Sequence, residues 1–319
     1  MRLSQIAREV GGELWGPDAE IRSLTAPNQA LAGDLVAVRQ PEWLEPVLSR
    51  GAFPLGEGPF PKGGSGILVA SVEAVWPRLL KLFDQPDLWA AGIHPTALIE
   101  PGVVIDPSAS VGPFTYLQSG VVVGAGAVIG PYCYLGAGAQ VGEETCLEAR
   151  VTLHRQVVVG KRCHLMSGVV VGATGFGFGP EGRLAHTGTV VIEDEVELSP
   201  LVVVERAIVG AARIGRGSKI GGGVYIGHNA DIGKGVIIAG QTGLAGSVKV
   251  GDGVIIGPQA GIVDHITIGP GARITGGSGV IKNVPAHETW SGVIPARPIR
   301  SHWRWLATLN RLVGQGEKP

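Results

Sequence analysis

Two histidines interrupt an otherwise aliphatic and glycine-rich stretch of the chain. His228 sits in VYIGHNADIG, Val224 to Gly233, and His265 in GIVDHITIG, Gly261 to Gly269. An imidazole can accept a proton near neutral pH and hand it on, so a histidine in such a frame suggests acid–base chemistry. Whether the two rings cooperate depends on what the intervening residues do with the chain.

Those residues repeat. From Ile99 the sequence reads in sixes: IEPGVV, IDPSAS, VGPFTY, LQSGVV, VGAGAV, IGPYCY and onward. Each unit opens with Ile, Val or Leu, usually continues with Gly, and closes with a small residue or Val. The frame slips at Val171 and again after Val204, then runs from Ile214 to Pro285. A six-residue period is the signature of a parallel β-helix, one short strand and one turn per unit. The aliphatic points inward, and Gly is expected to supply the positive φ of a tight corner. Three units make one coil of about 18 residues.

Counted in coils, the histidines pair. Their units start at Ile226 and Ile262, two coils apart, so both lie on one face, roughly 10 Å apart along the axis. The coil between them carries Gly246 at the His228 position and Ser247 at the His265 position. Two imidazoles flank a gap lined by small residues, where a substrate can reach the backbone. The Gly246 N–H is a candidate oxyanion donor beside a candidate base. A metal centre would need a third converging ligand. His186 could supply one only if its loop folded back, so no metal is expected.

Composition sets the class. The chain has 319 residues with 52 Gly and 22 Pro, yet 45% are hydrophobic, unlike a disordered Gly-rich chain. A net charge of −1 gives no nucleic-acid footprint over the whole molecule. Three cysteines form no disulfide framework, and Cys133 and Cys163, at equivalent repeat positions, read as small buried hydrophobes. The start, MRLSQIAREV, is too charged for a signal peptide, and no apolar run reaches spanning length, so the cytoplasm is the expected compartment.

The fold class is therefore mainly β, a β-helix with a small α/β domain before it and a short helix after it. Residues 1–92 form the first domain, with a helix in LSQIAREVGGEL ended by Gly11-Gly12 and a second in SVEAVWPRLLKLF interrupted near Pro77. Residues 93–294 form the β-helix and 295–319 the terminal helix and tail. That helix starts near Ser301, with Trp305, Leu309 and Leu312 on one face and Arg297, Arg300, Arg304 and Arg311 making it basic. The insertion ATGFGFGPEGRLAHTG, Ala173 to Gly188, carries Phe176 and Phe178, and a long loop in a regular scaffold is usually functional.

The order of these features, with GIHPTALI, GFGF, GHN, AGIVDHITIG and SGVIP, resembles the UDP-3-O-acylglucosamine N-acyltransferases of lipid A biosynthesis. The resemblance implies a left-handed β-helix and a homotrimer with sites between subunits. It implies transfer of a 3-hydroxyacyl chain from acyl carrier protein to the amine of a UDP-linked glucosamine, with no cofactor beyond the carrier-bound donor. His228 would be the general base, Gly246 the oxyanion donor, and His265 an aid to positioning. Asn229, Ser247 and the Gly175, Phe176, Gly177 wall would bind substrate, with Trp43 and Gln40 in the nucleotide segment. Arg297, Arg300, Arg304 and Arg311 would meet the acidic carrier protein.

The chain departs from that family in places. The family's Phe-x-x-Asn-Pro-x-Tyr segment is AVRQPEW here, with Ala37, Gln40 and Trp43 at the named positions. An Asp-Asn before the base is Gly221-Gly222, Asp-Arg-Gly is Glu205-Arg206-Ala207, and the Asp before the GFG loop is Thr174. Two alternatives stay open: an acyl- or acetyltransferase with another acceptor or a coenzyme A donor, and a non-catalytic β-helix scaffold.

Overall fold

The computed structural model describes residues 1–84, 92–292 and 298–314. The chain divides into two compact units, Met1–Leu88 and Trp89–Pro319.

The first unit is a small α/β fold. Helix α1 (Leu3–Val10) buries Leu3, Ile6, Ala7 and Val10, the i, i+3, i+4, i+7 spacing of one helical face, and stops where Gly11 turns left-handed. Strands β1 (Glu13–Trp15), β2 (Leu35–Ala37), β3 (Phe53–Gly56) and β4 (Gly66–Leu68) form a sheet in the order β1-β4-β3-β2, antiparallel only between β1 and β4. Helix α2 (Leu44–Ser49) follows a short 3-10 turn at Pro41–Trp43. Helix α3 (Val72–Phe83) runs through Pro77, which corrects the expected interruption there. Pro77 removes one bond, to the carbonyl of Glu73, and both residues are exposed, so water can serve that carbonyl. The Ser71 side chain caps the start by accepting from the Ala74 N–H, and buried Val72 and Leu79 anchor the helix.

The second unit is a parallel β-helix. Its short strands stack into three long sheets of 9, 11 and 10 strands among the described residues, and consecutive strands in each sheet come from successive coils. Partners are 18 residues apart: Val123 pairs with Val141, and Val141 with Val159. The column continues through Ile192, Ile214, Ile232, Val250 and Ile268, all buried. Each such side chain contributes about 1.5–3 kcal/mol of burial, which makes the aliphatic opening of each six-residue unit indispensable.

The glycine after the aliphatic has a different reason from the one expected. It does not supply the positive φ. A Cβ at Gly142 would stand 2.4 Å from the carbonyl oxygen of Gly160 in the next coil, so this position is Gly because two backbones meet there. The left-handed corner falls two residues later, where glycine supplies it in some units, as Gly126, Gly138 and Gly235 do with φ of 64°, 70° and 61°, and side chains occupy it in others, as Asn229, Ser247 and His265 do with φ of 57°, 60° and 57°. The stacking of coils holds them there.

Two interruptions enlarge single coils, and apart from a local register shift between Val171 and Ala173 the strands stay in phase. Val158 pairs with Val191, 33 residues on, and Val191 with Arg213, 22 on, after which the 18-residue spacing resumes. Both excursions leave from one corner, after strands Val170–Ala173 and Val203–Glu205. Helix α4 (Ile299–Gly314) begins two residues before the expected Ser301.

Candidate functional site

Strand Tyr225–Ile226 delivers His228 to the surface of the β-helix. Ile226 is buried between Val204 and Leu244 of the neighbouring coils, and the chain then turns through Gly227 and His228 into left-handed Asn229. The register places His228, Gly246 and Asp264 in one column and Asn229, Ser247 and His265 in the next. Backbone bonds lock the columns: Ser247 N–H donates to the His228 carbonyl at 2.7 Å, and His265 N–H to that of Gly246 at 3.1 Å.

The His228 ring lies on Gly246. A Cβ at Gly246 would meet Cε1 and Nε2 of the ring at 2.5 Å. Nδ1 faces Asn229 Oδ1 at 3.3 Å. That oxygen already accepts the Ile208 N–H at 2.9 Å, while Asn229 Nδ2 donates to the Val209 carbonyl, which fixes the amide's orientation. Nδ1 of the neutral ring is thus the protonated nitrogen, and the lone pair is on Nε2 above Gly246. Among the described residues the Gly246 N–H finds no acceptor.

These groups border a cavity of about 350 Å³, lined by Phe176, Glu205, Tyr225, Gly227, His228, Ala245, Gly246, Asp264 and His265. Sequence reasoning missed five of them as site residues, and three of those, Glu205, Tyr225 and Asp264, carry polar side chains. Glu205 is buried, and it accepts the His228 N–H at 2.9 Å, the Phe176 N–H at 2.9 Å and the Tyr225 hydroxyl. Burial, and then the bond to Glu205, pushes the Tyr225 phenol well above its ordinary range, so it stays protonated as a donor. Asp264 is an exposed carboxylate beside His265, itself exposed. The signals were present: Glu205 breaks the aliphatic run VVVERA, and Tyr225 and Asp264 adjoin the histidine turns.

The 173–188 insertion folds back on this site. The His186 ring is buried and meets His228 edge-on with centroids 5.6 Å apart. Nδ1 donates to the Leu184 carbonyl at 3.1 Å, and Nε2 is buried without a partner among the described residues. No group of three His, Cys, Asp or Glu residues could hold a metal ion among the described residues. A short hairpin pairs Phe178–Gly179 with Gly182–Arg183. Arg183 donates to the Gly175 carbonyl at 3.0 Å and lies 5.0 Å from the centre of the Phe178 ring, which packs edge-on against Phe176.

Of the residues expected here, the structure brings His228, Gly246, His265 and Phe176 to one cavity. Gly175 and Gly177 hold the loop behind it rather than lining it. A Cβ at Gly175 would come within 2.6 Å of Glu205 Oε2 and 2.8 Å of His186 Nε2. Asn229 and Ser247 stand in the second column, and Asn229 spends its amide on the backbone of residues 208 and 209.

The bacterial transferase hexapeptide model (six repeats) matches residues 120–155 and 211–246. The UDP-3-O-acylglucosamine N-acyltransferase of Pseudomonas entomophila is 37% identical over 72% of this chain and 68% of its own length. That of Pseudomonas aeruginosa (strain UCBPP-PA14) is 41% identical over 71% of this chain and 67% of its own. This chain belongs to the UDP-3-O-acylglucosamine N-acyltransferase family. Among solved structures, the UDP-N-acetylglucosamine acyltransferase of Arabidopsis superposes with a TM-score of 0.53 at 25% identity, over 63% of this chain and 71% of that one. The protein is an acyltransferase of the lipid A pathway.

Membership in the UDP-3-O-acylglucosamine N-acyltransferase family directs attention to the N-terminal unit as well. Gln40 is exposed, and Trp43 borders a cavity of about 390 Å³ with Leu24, Ala37, Arg39 and Trp76 among its walls. The Arg39 guanidinium stacks 4.4 Å from the centre of the Trp76 ring. Trp76 is an aromatic wall that sequence reasoning did not assign. On helix α4, Arg300, Arg304 and Arg311 are exposed, while Arg297 lies outside the described residues. No helix among the described residues is long and apolar enough to cross a membrane.

Proposed function

We propose that this chain moves a 3-hydroxyacyl group from acyl carrier protein to the amine of a UDP-linked glucosamine derivative. The observation that carries the reading is the seat of the His228 ring on Gly246, which sets a lone pair and a free backbone N–H on one cavity. His228 Nε2 takes a proton from the amine as nitrogen attacks the thioester carbonyl and the C–N bond forms. Charge develops on the carbonyl oxygen, where the Gly246 N–H meets it. The intermediate collapses, the C–S bond breaks, and the proton on His228 passes to the departing sulfur. The proton count closes, so the reaction needs no cofactor.

His265, at the cavity rim, orients the thioester arm, and Phe176 covers the acyl side. Trp43 and Trp76 offer faces for a pyrimidine. Arg300, Arg304 and Arg311 meet the acidic carrier protein. The working form is a cytoplasmic homotrimer. The test is a donor and acceptor panel: acyl carrier protein against coenzyme A thioesters, and UDP-3-O-acylglucosamine against other amino sugars. Turnover only with coenzyme A thioesters, or with none of these acceptors, would overturn the reading. Sedimentation tests the trimer.

A further inference from the structure

Glu205 occupies the position after the inward aliphatic, which is Glu100, Gln118 and His154 in earlier coils of the same column, and unlike those residues it is buried. It follows the inward Val204, the position taken by Gly227 and Ala245 in the next two coils. Its backbone lies at a register shift, where Ala173 rather than Gly172 faces it and Arg206 N–H donates to the Ala173 carbonyl at 2.9 Å. Glu205 is 3% exposed, and no cation pairs with it among the described residues. Such a charge is costly to bury unless hydrogen bonds answer it. Three do, and each comes from a different segment. The Phe176 N–H belongs to the inserted loop, the Tyr225 hydroxyl to the strand before the base, and the His228 N–H to the turn that carries the base.

We propose that Glu205 is the positioning residue of this acyl transfer: one buried carboxylate ties the inserted loop to the turn bearing His228 and so sets the base and the cavity wall together. The inference rests on the transfer assigned above and adds to it the group that holds the machinery in place. Held through its own amide, His228 keeps its ring on Gly246. Held through the amide of Phe176, the loop keeps Gly175 between Glu205 and His186, a space that admits no side chain. Because it holds the base and the cavity wall in their working geometry, Glu205 acts on the chemical step more than on binding.

The experiment compares wild type with Glu205→Gln, Glu205→Asp and Tyr225→Phe, reading kcat and KM and, without substrate, amide hydrogen exchange. Glu205→Gln should lower kcat about 100-fold with KM moved less than about threefold. Glu205→Asp, which keeps the charge, should return kcat to within about tenfold of wild type. The amides of Phe176 and His228 should exchange at least about tenfold faster in Glu205→Gln, while Val141 and Ile256 hold their protection. Wild-type kcat with unchanged exchange in Glu205→Gln would overturn the proposal, as would a rise in KM at unchanged kcat. Should Glu205→Gln lose protection throughout the β-helix, Tyr225→Phe decides. A fall of about fivefold in kcat at constant KM supports the role, and no fall overturns it. Exchange is read without turnover, so faster exchange in Glu205→Gln upholds the positioning role even if wild type acylates no amino-sugar nucleotide, a result that faults the substrate reading alone.

Discussion

The imidazole of His228 rests on the bare backbone of Gly246, one coil further along, with Cε1 and Nε2 each 2.5 Å from where a Cβ would stand. This relationship makes the glycine a shape requirement of the histidine. Gly246→Ala should therefore push the ring aside and lower kcat on the order of 100-fold. The β-helix should keep its melting temperature within a few degrees, because the residue is not part of the buried column. Turnover alongside a thermal melt checks both halves.

His228→Ala removes the base itself. Turnover should fall roughly 10²–10⁴-fold, with circular dichroism and sedimentation unchanged. Activity within tenfold of wild type would remove His228 from the mechanism.

Asp34 anchors the N-terminal unit. The Arg22 guanidinium, with help from Ser23 and the Leu31 N–H, holds its carboxyl down at about 2. A carboxylate depressed in the folded state stabilises it fully above the unfolded value near 4, and that stability is lost as pH falls through about 2. Acid titration should loosen this unit between those values. Asp34→Asn should cost on the order of 2 kcal/mol at neutral pH and flatten the response in that window, read by denaturant melts across pH.

Cys133 should be inert. Burial pushes its thiol up to about 12, and Sγ donates to the Glu148 carbonyl at 3.0 Å. Iodoacetamide at pH 8 should leave it unlabelled in the folded protein and label it after guanidinium treatment, as peptide mass spectrometry would show. Labelling of the native protein would mean the coil opens more readily than its packing implies.

The β-helix was legible because its rule is one-dimensional: an aliphatic every six residues can bury itself only by stacking on its own kind, as Val123, Val141 and Val159 do. The same arithmetic put His228 and His265 two coils apart with Gly246 between. It gave both kinds of glycine one reason, because a sequence shows that Gly142 is glycine and not whether rotation, as at Gly138, or contact demands it. Only the distance to Gly160 separates the two. Pro77 likewise reads as a break until the helix, with Glu73 and Pro77 both exposed, proves able to do without one bond. The insertion carries no period at all, so nothing in ATGFGFGPEGRLAHTG announced that His186 would return to His228 or that Phe176 would bond Glu205. Chain-distant meetings in an aperiodic loop come from packing, which spacing does not encode.

The pairing of Val158 with Val191 across the long excursion divides labour between two sets of bonds. Cohesion between coils passes beneath the corner where the loop departs, while the chemistry gathers on top of it. Residues can be gained, lost or exchanged at that corner without re-phasing a single rung below. A rod built this way can vary what it recognises while its rigidity stays fixed, and laboratory grafts at 173–188 inherit the same freedom.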